Sequence, residues 1–170
     1  MSTPEEHRKG AKERFDLSLI TISTSKYFDR ERDDLSGKLA RAILEKAGHT
    51  VSSMIILPDQ KDMIRRELLR LILSDTDAII TSGGTGLTPD DLTIETIAPL
   101  FKKEITGFGE LFRRLSYDKI GTASMLSRAA AGVIEGKLII CLPGSPDAVK
   151  LALEEIIVPE LPHLMRHISG

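Results

Sequence analysis

The order of apolar runs and helix-spaced stretches predicts an α/β protein, a three-layer α/β/α arrangement around a mostly parallel central sheet. Three observations carry this. Strand-like and helix-like segments succeed one another along the whole chain. The strand-like runs are Ile, Leu and Val without a polar face, the pattern of a sheet covered by helices on both sides. One run ends in Thr81-Ser82-Gly83-Gly84-Thr85-Gly86, a glycine turn at the carboxyl end of a strand, where such sheets bind their ligands.

The first strand is expected over 15–23, where Leu17, Leu19, Ile20 and Ile22 alternate and then run together. A charged loop, 29–34, leads into a helix over 35–47, whose apolar positions Leu35, Leu39, Ile43 and Leu44 follow helical spacing until Gly48 stops it. Residues 51–57 form a second strand closed by Pro58-Asp59, and 62–73 a helix burying Met63, Leu68, Leu69 and Ile72. The third strand, 77–82, enters the glycine turn. Shorter helices follow at 94–101 and 108–115, and the small residues of 124–131 read as another. A strand over 137–142 and a helix over 146–157 complete the pattern, with Pro159 and Pro162 expected to break it.

A chain of 170 residues is long enough for one domain with a sizeable core, placed at 15–170 after a charged, aperiodic 1–14 expected to be a flexible tail. It is 41% hydrophobic and 28% charged, and its net charge of −2 gives no general attraction to nucleic acid or membrane. No apolar stretch reaches the length of a membrane span, and the polar N-terminus is unlike a secretory signal, so a cytoplasmic protein is expected. The single cysteine, Cys141, lies between Ile140 and Leu142 as a buried strand residue and excludes an internal disulfide. The chain has no Asn or Trp and one Gln, Gln60, beside many Glu, Lys and Arg, a composition that fits a thermophilic source.

The glycine turn points to a charged ligand. Glycine admits positive φ and close approach of the backbone, and successive free N–H groups in such a turn form a concave anion site. Asp90 and Asp91 follow at once and would repel a phosphate directly, so the expected intermediary is a divalent cation such as Mg2+. The turn is not a P-loop, since Leu87, Thr88 and Pro89 stand where Lys and Ser/Thr are needed. Nor does it supply the third glycine of a dinucleotide fingerprint. Thr93 is the expected cap of the following helix, which frees Asp91 for the ligand.

Other strand ends converge on the same rim. Asp59 follows the second strand, and with Asp91 it could hold Mg2+ or divide the work, one carboxylate on metal and one as base; as a turn residue after proline it would do neither. Pro143-Gly144-Ser145-Pro146 opens the last helix, as a second phosphate site or as an ordinary strand-to-helix turn. Ser127-Arg128 reads as an anion contact or as a solvated pair. His7, His49, His163 and His167 share no metal-site spacing. His163 and His167 are four apart, but they follow Pro162 with no carboxylate expected beside them, so no zinc site is assigned.

Taken together these residues resemble the molybdopterin adenylyltransferase family, the MoaB/MogA-like proteins to which the gephyrin N-terminal domain is related. The resemblance rests on Gly83 to Gly86 with Asp91 and Thr93, Asp34-x-Ser36-Gly37, Pro58-Asp59, Met125-Leu126-Ser127-Arg128 and Leu142-Pro143-Gly144-Ser145-Pro146. Gly107-Phe108-Gly109-Glu110-Leu111-Phe112-Arg113 is similar to the MoaB branch, and the motifs run in family order over nearly the whole chain. The resemblance implies adenylylation of molybdopterin by Mg-ATP with release of pyrophosphate, ahead of molybdenum or tungsten insertion. It implies that Gly83, Gly84, Thr85 and Gly86 receive the nucleotide phosphates and that Asp59 and Asp91 are the catalytic and metal-binding carboxylates. Ser127, Pro143, Gly144 and Ser145 would lie near the pterin, and the chain would form a homo-oligomer, a trimer or a hexamer. Many relatives have Arg immediately before the second aspartate, where this chain has Asp90. Two rival readings follow. Thr88 to Thr93 also resembles the CinA-type domain, which hydrolyses a nucleotide pyrophosphate, and a non-catalytic molybdopterin-binding MoaB protein would keep the fold with a vestigial nucleotide site.

Overall fold

The computed structural model describes residues 12–170. Its six-stranded sheet has the order β2-β1-β3-β6-β5-β4. The strands are β1 (Asp16–Ile22), β2 (Thr50–Leu57), β3 (Ala78–Ser82), β4 (Lys103–Glu104), β5 (Ala130–Ile134) and β6 (Lys137–Leu142). The pairs β1–β2, β1–β3 and β3–β6 are parallel, while β5 runs antiparallel to both β6 and β4. The expected α/β/α layering is therefore the observed one.

Helices α1 (Thr24–Phe28), α2 (Leu35–Lys46), α3 (Lys61–Ile72), α4 (Thr93–Ile97), α5 (Thr106–Ile120), α6 (Pro146–Ala152) and α7 (Val158–Ser169) fill the connections. Side chains alternate across each strand, so the sheet feeds two cores. Leu17, Leu19 and Ile80 pack with Leu44 of α2, Phe108 and Phe112 of α5 and Leu161 and Met165 of α7 on one face. Ile20, Ile22, Ile79 and Ile139 pack with Ile64, Leu68 and Leu71 of α3 and Ile97 of α4 on the other.

Three local expectations are corrected. The small residues expected as a helix over 124–131 divide between a 3-10 segment, Gly121–Leu126, and β5. Ala130, Ala131 and Gly132 are small because the sheet is crowded there: a Cβ on Gly132 would run into the ring of Phe101. Glu135 (φ 46) and Gly136 (φ 75) then close a two-residue hairpin into β6. Pro159 and Pro162 do not end the last helix. A π-helical stretch, Leu153–Ile157, joins α6 to α7 and places Pro159 in the first turn of α7. The bond lost at Pro162 is offset by the burial of Leu161 and Met165. Finally Thr93 is the first residue of α4 and not its cap.

Of the segment expected as a tail, residues 1–11 lie outside the described residues. Lys12 pairs with Asp77 at 2.8 Å and the Arg14 guanidinium donates to Thr50 Oγ1 at 3.2 Å, so these two side chains lie against the fold.

Candidate functional site

Four parallel strands end on one rim, and the chain's path reverses there between β1 and β3, the position at which open α/β sheets bind ligands. The Gly83 N–H donates to Leu142 O at 3.0 Å, extending the β3–β6 pairing by one residue. The backbone then turns through positive φ at Gly83 (98°) and Gly84 (65°). A side chain is excluded at both: a Cβ on Gly83 would overlap Ile22 O, and one on Gly84 would overlap Thr93 Oγ1 and lie 3.0 Å from Asp59 Oδ1. Thr93 gives up capping for a different task. Its hydroxyl donates to Gly83 O at 2.8 Å and its N–H to Gly84 O at 3.0 Å, fastening the turn to α4.

Both candidate carboxylates border this turn, Asp59 at Gly84 and Asp91 at Gly86, where a Cβ would lie 3.0 Å from Asp91 Cγ. Each is oriented by a threonine. Asp59 Oδ2 accepts from the Thr24 hydroxyl at 2.7 Å and the Thr24 N–H at 3.1 Å, and the Asp59 N–H returns a bond of 3.0 Å to Thr24 Oγ1. Asp91 Oδ2 accepts from the Thr88 hydroxyl at 2.7 Å and the Thr88 N–H at 3.0 Å. Oδ1 of each makes no hydrogen bond among the described residues. The Thr88 hydroxyl, with the backbone N–H groups of Thr88 and Gly86 and the Arg128 charge, holds the Asp91 carboxyl below the usual carboxylate range against partial burial. Arg128 donates to Gly86 O at 3.0 Å and pairs with Glu95, closing the turn from the other side.

The donor set suits Mg2+. That ion prefers a few carboxylate oxygens, with water and substrate phosphates completing an octahedron, over an all-protein cage. Among the described residues no three His, Cys, Asp or Glu side chains gather into such a cage, while two carboxylates present free oxygens to one turn.

Ser127, Pro143 and Ser145 line a groove of about 590 Å3 together with Phe112, Lys119 and Lys150. Gly144 joins the groove to the turn. A Cβ there would lie 3.1 Å from Gly83 Cα, and its carbonyl accepts from Ser36 Oγ at 2.6 Å. Ser145 also caps α6, accepting from Ala148 N–H at 3.2 Å. Of the residues expected from the sequence, Gly84 borders Asp59, Gly86 borders Asp91 and Gly144 abuts Gly83, while Ser127, Pro143 and Ser145 line the groove and Thr85 is buried at 5% exposure. Asp90 is exposed and carries no hydrogen bond or ion pair among the described residues. Sequence reasoning missed Thr24, which lies far from Asp59 in the chain, and the groove lysines, which look like any surface lysine. Thr88 had a signal, the Thr-x-x-Asp spacing that permits a reciprocal turn.

Comparison with known proteins identifies the family of this fold. The family described as "Probable molybdopterin binding domain" matches residues 18–163. Molybdenum cofactor biosynthesis protein B of Bacillus subtilis (strain 168) is 44% identical over 166 residues, covering 96% of this chain and 96% of that protein. Its counterpart in Halalkalibacterium halodurans is 45% identical over 166 residues, with 96% of each covered. The crystal structure of the tungsten cofactor synthesizing protein MoaB from Pyrococcus furiosus superposes with a TM-score of 0.87 at 41% identity, covering 94% of this chain and 100% of that one. The chain belongs to the molybdopterin binding domain family, in its MoaB/MogA-like group.

Proposed function

We propose that this protein acts in molybdenum or tungsten cofactor biosynthesis, transferring the adenylyl group of Mg-ATP to molybdopterin and releasing pyrophosphate. The observation that carries this reading is the Gly83–Gly86 turn bordered on both sides by aspartates whose Oδ1 atoms are free. The N–H groups of Gly84 and Thr85 make no hydrogen bond among the described residues, and successive donors of this kind suit phosphate oxygens. Asp59 and Asp91 would hold Mg2+, which when bound neutralises charge on the reacting phosphates. The groove beside Gly144 receives the pterin, with Ser127 and Ser145 as polar contacts and Lys119 and Lys150 as cations for an anionic substrate. The chain's part is positioning: the threonines aim the carboxylates, and Arg128 and Thr93 fix the turn between the two substrates.

Assembly belongs to the same proposal. Leu111, Tyr117, Ile120, Met125 and Leu126 are exposed along α5 and the 3-10 segment after it, which supports a homo-oligomer, trimer or hexamer, closing over these side chains.

The test is pyrophosphate release from Mg-ATP with and without molybdopterin. Release should require the pterin and should fall by at least on the order of 10²-fold in Asp59→Ala and in Asp91→Ala, with folding intact. Hydrolysis of nucleotide pyrophosphates without pterin would instead assign the CinA-type reaction. Pterin binding with no nucleotide turnover would leave a non-catalytic binding protein.

A further inference from the structure

We propose that the last helix carries a metal site separate from the carboxylate rim, a two-histidine chelate for a divalent transition-metal ion formed by His163 and His167. Because α7 runs unbroken through Pro162, Glu160, His163 and His167 share one helical face, which a helix ended by that proline would not provide. The Nε2 atoms of His163 and His167 lie 3.0 Å apart, with their rings 4.7 Å apart between centroids. His163 Nδ1 lies 3.2 Å from Glu160 Oε2.

These contacts fix the chemistry. A carboxylate at this contact only accepts, so Nδ1 of His163 carries the proton and its Nε2 presents a bare lone pair toward His167. A carboxylate behind a histidine is the partner that orients imidazole ligands and raises their basicity. With metal–nitrogen bonds of about 2.0–2.1 Å, the 3.0 Å separation corresponds to an N–metal–N angle of about 94°. That is close to the right angle of tetragonal Cu2+ and Ni2+ sites. Without metal the pair holds as one N–H···N hydrogen bond. For both Nε2 atoms to ligate, the His167 proton must sit on Nδ1.

Imidazole nitrogen selects Cu2+, Ni2+ or Zn2+ over Mg2+, which takes oxygen ligands. Roughly 25 Å of helical rise at about 1.5 Å per residue separates His163 from the rim at Pro146, so the two sites are distinct. Both histidines are exposed and have no third protein ligand among the described residues, so water would complete the coordination.

The test is titration of the full chain with Cu2+ alone, followed by calorimetry and electron paramagnetic resonance. Wild type should bind with the nitrogen hyperfine pattern of two imidazoles. His163→Ala and His167→Ala should each weaken binding at least about tenfold, and Glu160→Ala by about 10-fold, the lower end for outer partners of metal ligands. His7→Ala, and the pair Asp59→Ala and Asp91→Ala, should bind as wild type does. Undiminished affinity in His163→Ala and His167→Ala, or loss in His7→Ala or the aspartate variants, would overturn the assignment. The histidines would then be a plain hydrogen-bonded pair.

Discussion

At the level of single residues, the rim depends on carboxylates whose direction is set by hydroxyls. Each aspartate engages a threonine through Oδ2 and has no hydrogen bond to Oδ1 among the described residues. Thr88→Val keeps the shape and the backbone donor but removes the hydroxyl that contributes most to lowering the Asp91 carboxyl. Its expected effect is an upward shift of the Asp91 titration, read by NMR, and, on the proposed function, a roughly 10–100-fold loss of Mg-ATP turnover, the usual range for outer partners of a metal ligand. An unchanged Asp91 titration would remove Thr88 from that role. Gly84 is the other sensitive position. Alanine there meets both a positive φ and the hydroxyl of Thr93, so Gly84→Ala should destabilise by about 1–3 kcal/mol and displace α4 from the turn. Denaturant midpoints check the first effect, and, on the proposed function, loss of nucleotide binding checks the second.

Among the elements, those with a long, regular apolar pattern were legible, and those defined by crowding were not. The apolar runs of β1, β2, β3 and β6 and the helical spacing of α2 and α3 announced themselves because each buries side chains at its own natural period. Strand β5 was hidden because Ala130-Ala131-Gly132 is chosen by its neighbours: Phe101 fills the volume that a side chain at Gly132 would need. Helix α7 was hidden because proline penalises a helix locally, while the burial of Leu161 and Met165 that outweighs it is tertiary. The same contrast held at the site. The glycine turn and the two aspartates were visible in sequence, whereas the Thr24–Asp59 contact and the Arg128 clasp join separate elements and were not. The crowding at β5 is itself testable. Gly132→Ala should cost about 1–3 kcal/mol, as overpacking does, and Phe101→Leu in the same chain should recover part of it. A neutral Gly132→Ala would mean that Phe101 moves freely and that the strand is not specified by this contact.

Across the whole molecule, the mostly parallel sheet separates the rim that carries the glycine turn from a floor at the opposite strand ends, and the floor has its own pH response. There His49 is 5% exposed, tilts against the Phe15 ring, and accepts the Phe15 N–H at Nδ1 over 3.4 Å. Lys12 lies 5.5 Å over the same Phe15 ring. Burial disfavours the imidazolium, so the folded-state pKa of His49 lies below its ordinary value of 6.5. The sign follows directly. Between that ordinary value and the lower folded one, the unfolded chain binds more protons than the folded chain, so stability falls as pH decreases through this window and is fully present above it. One proton limits the slope to about 1.4 kcal/mol per pH unit. His49→Asn keeps an acceptor for the Phe15 N–H and removes the titration. Urea unfolding at fixed protomer concentration, followed from pH 8 to pH 5.5, should therefore show a flatter pH dependence in His49→Asn than in wild type. An equal slope in both chains would place the acid sensitivity elsewhere.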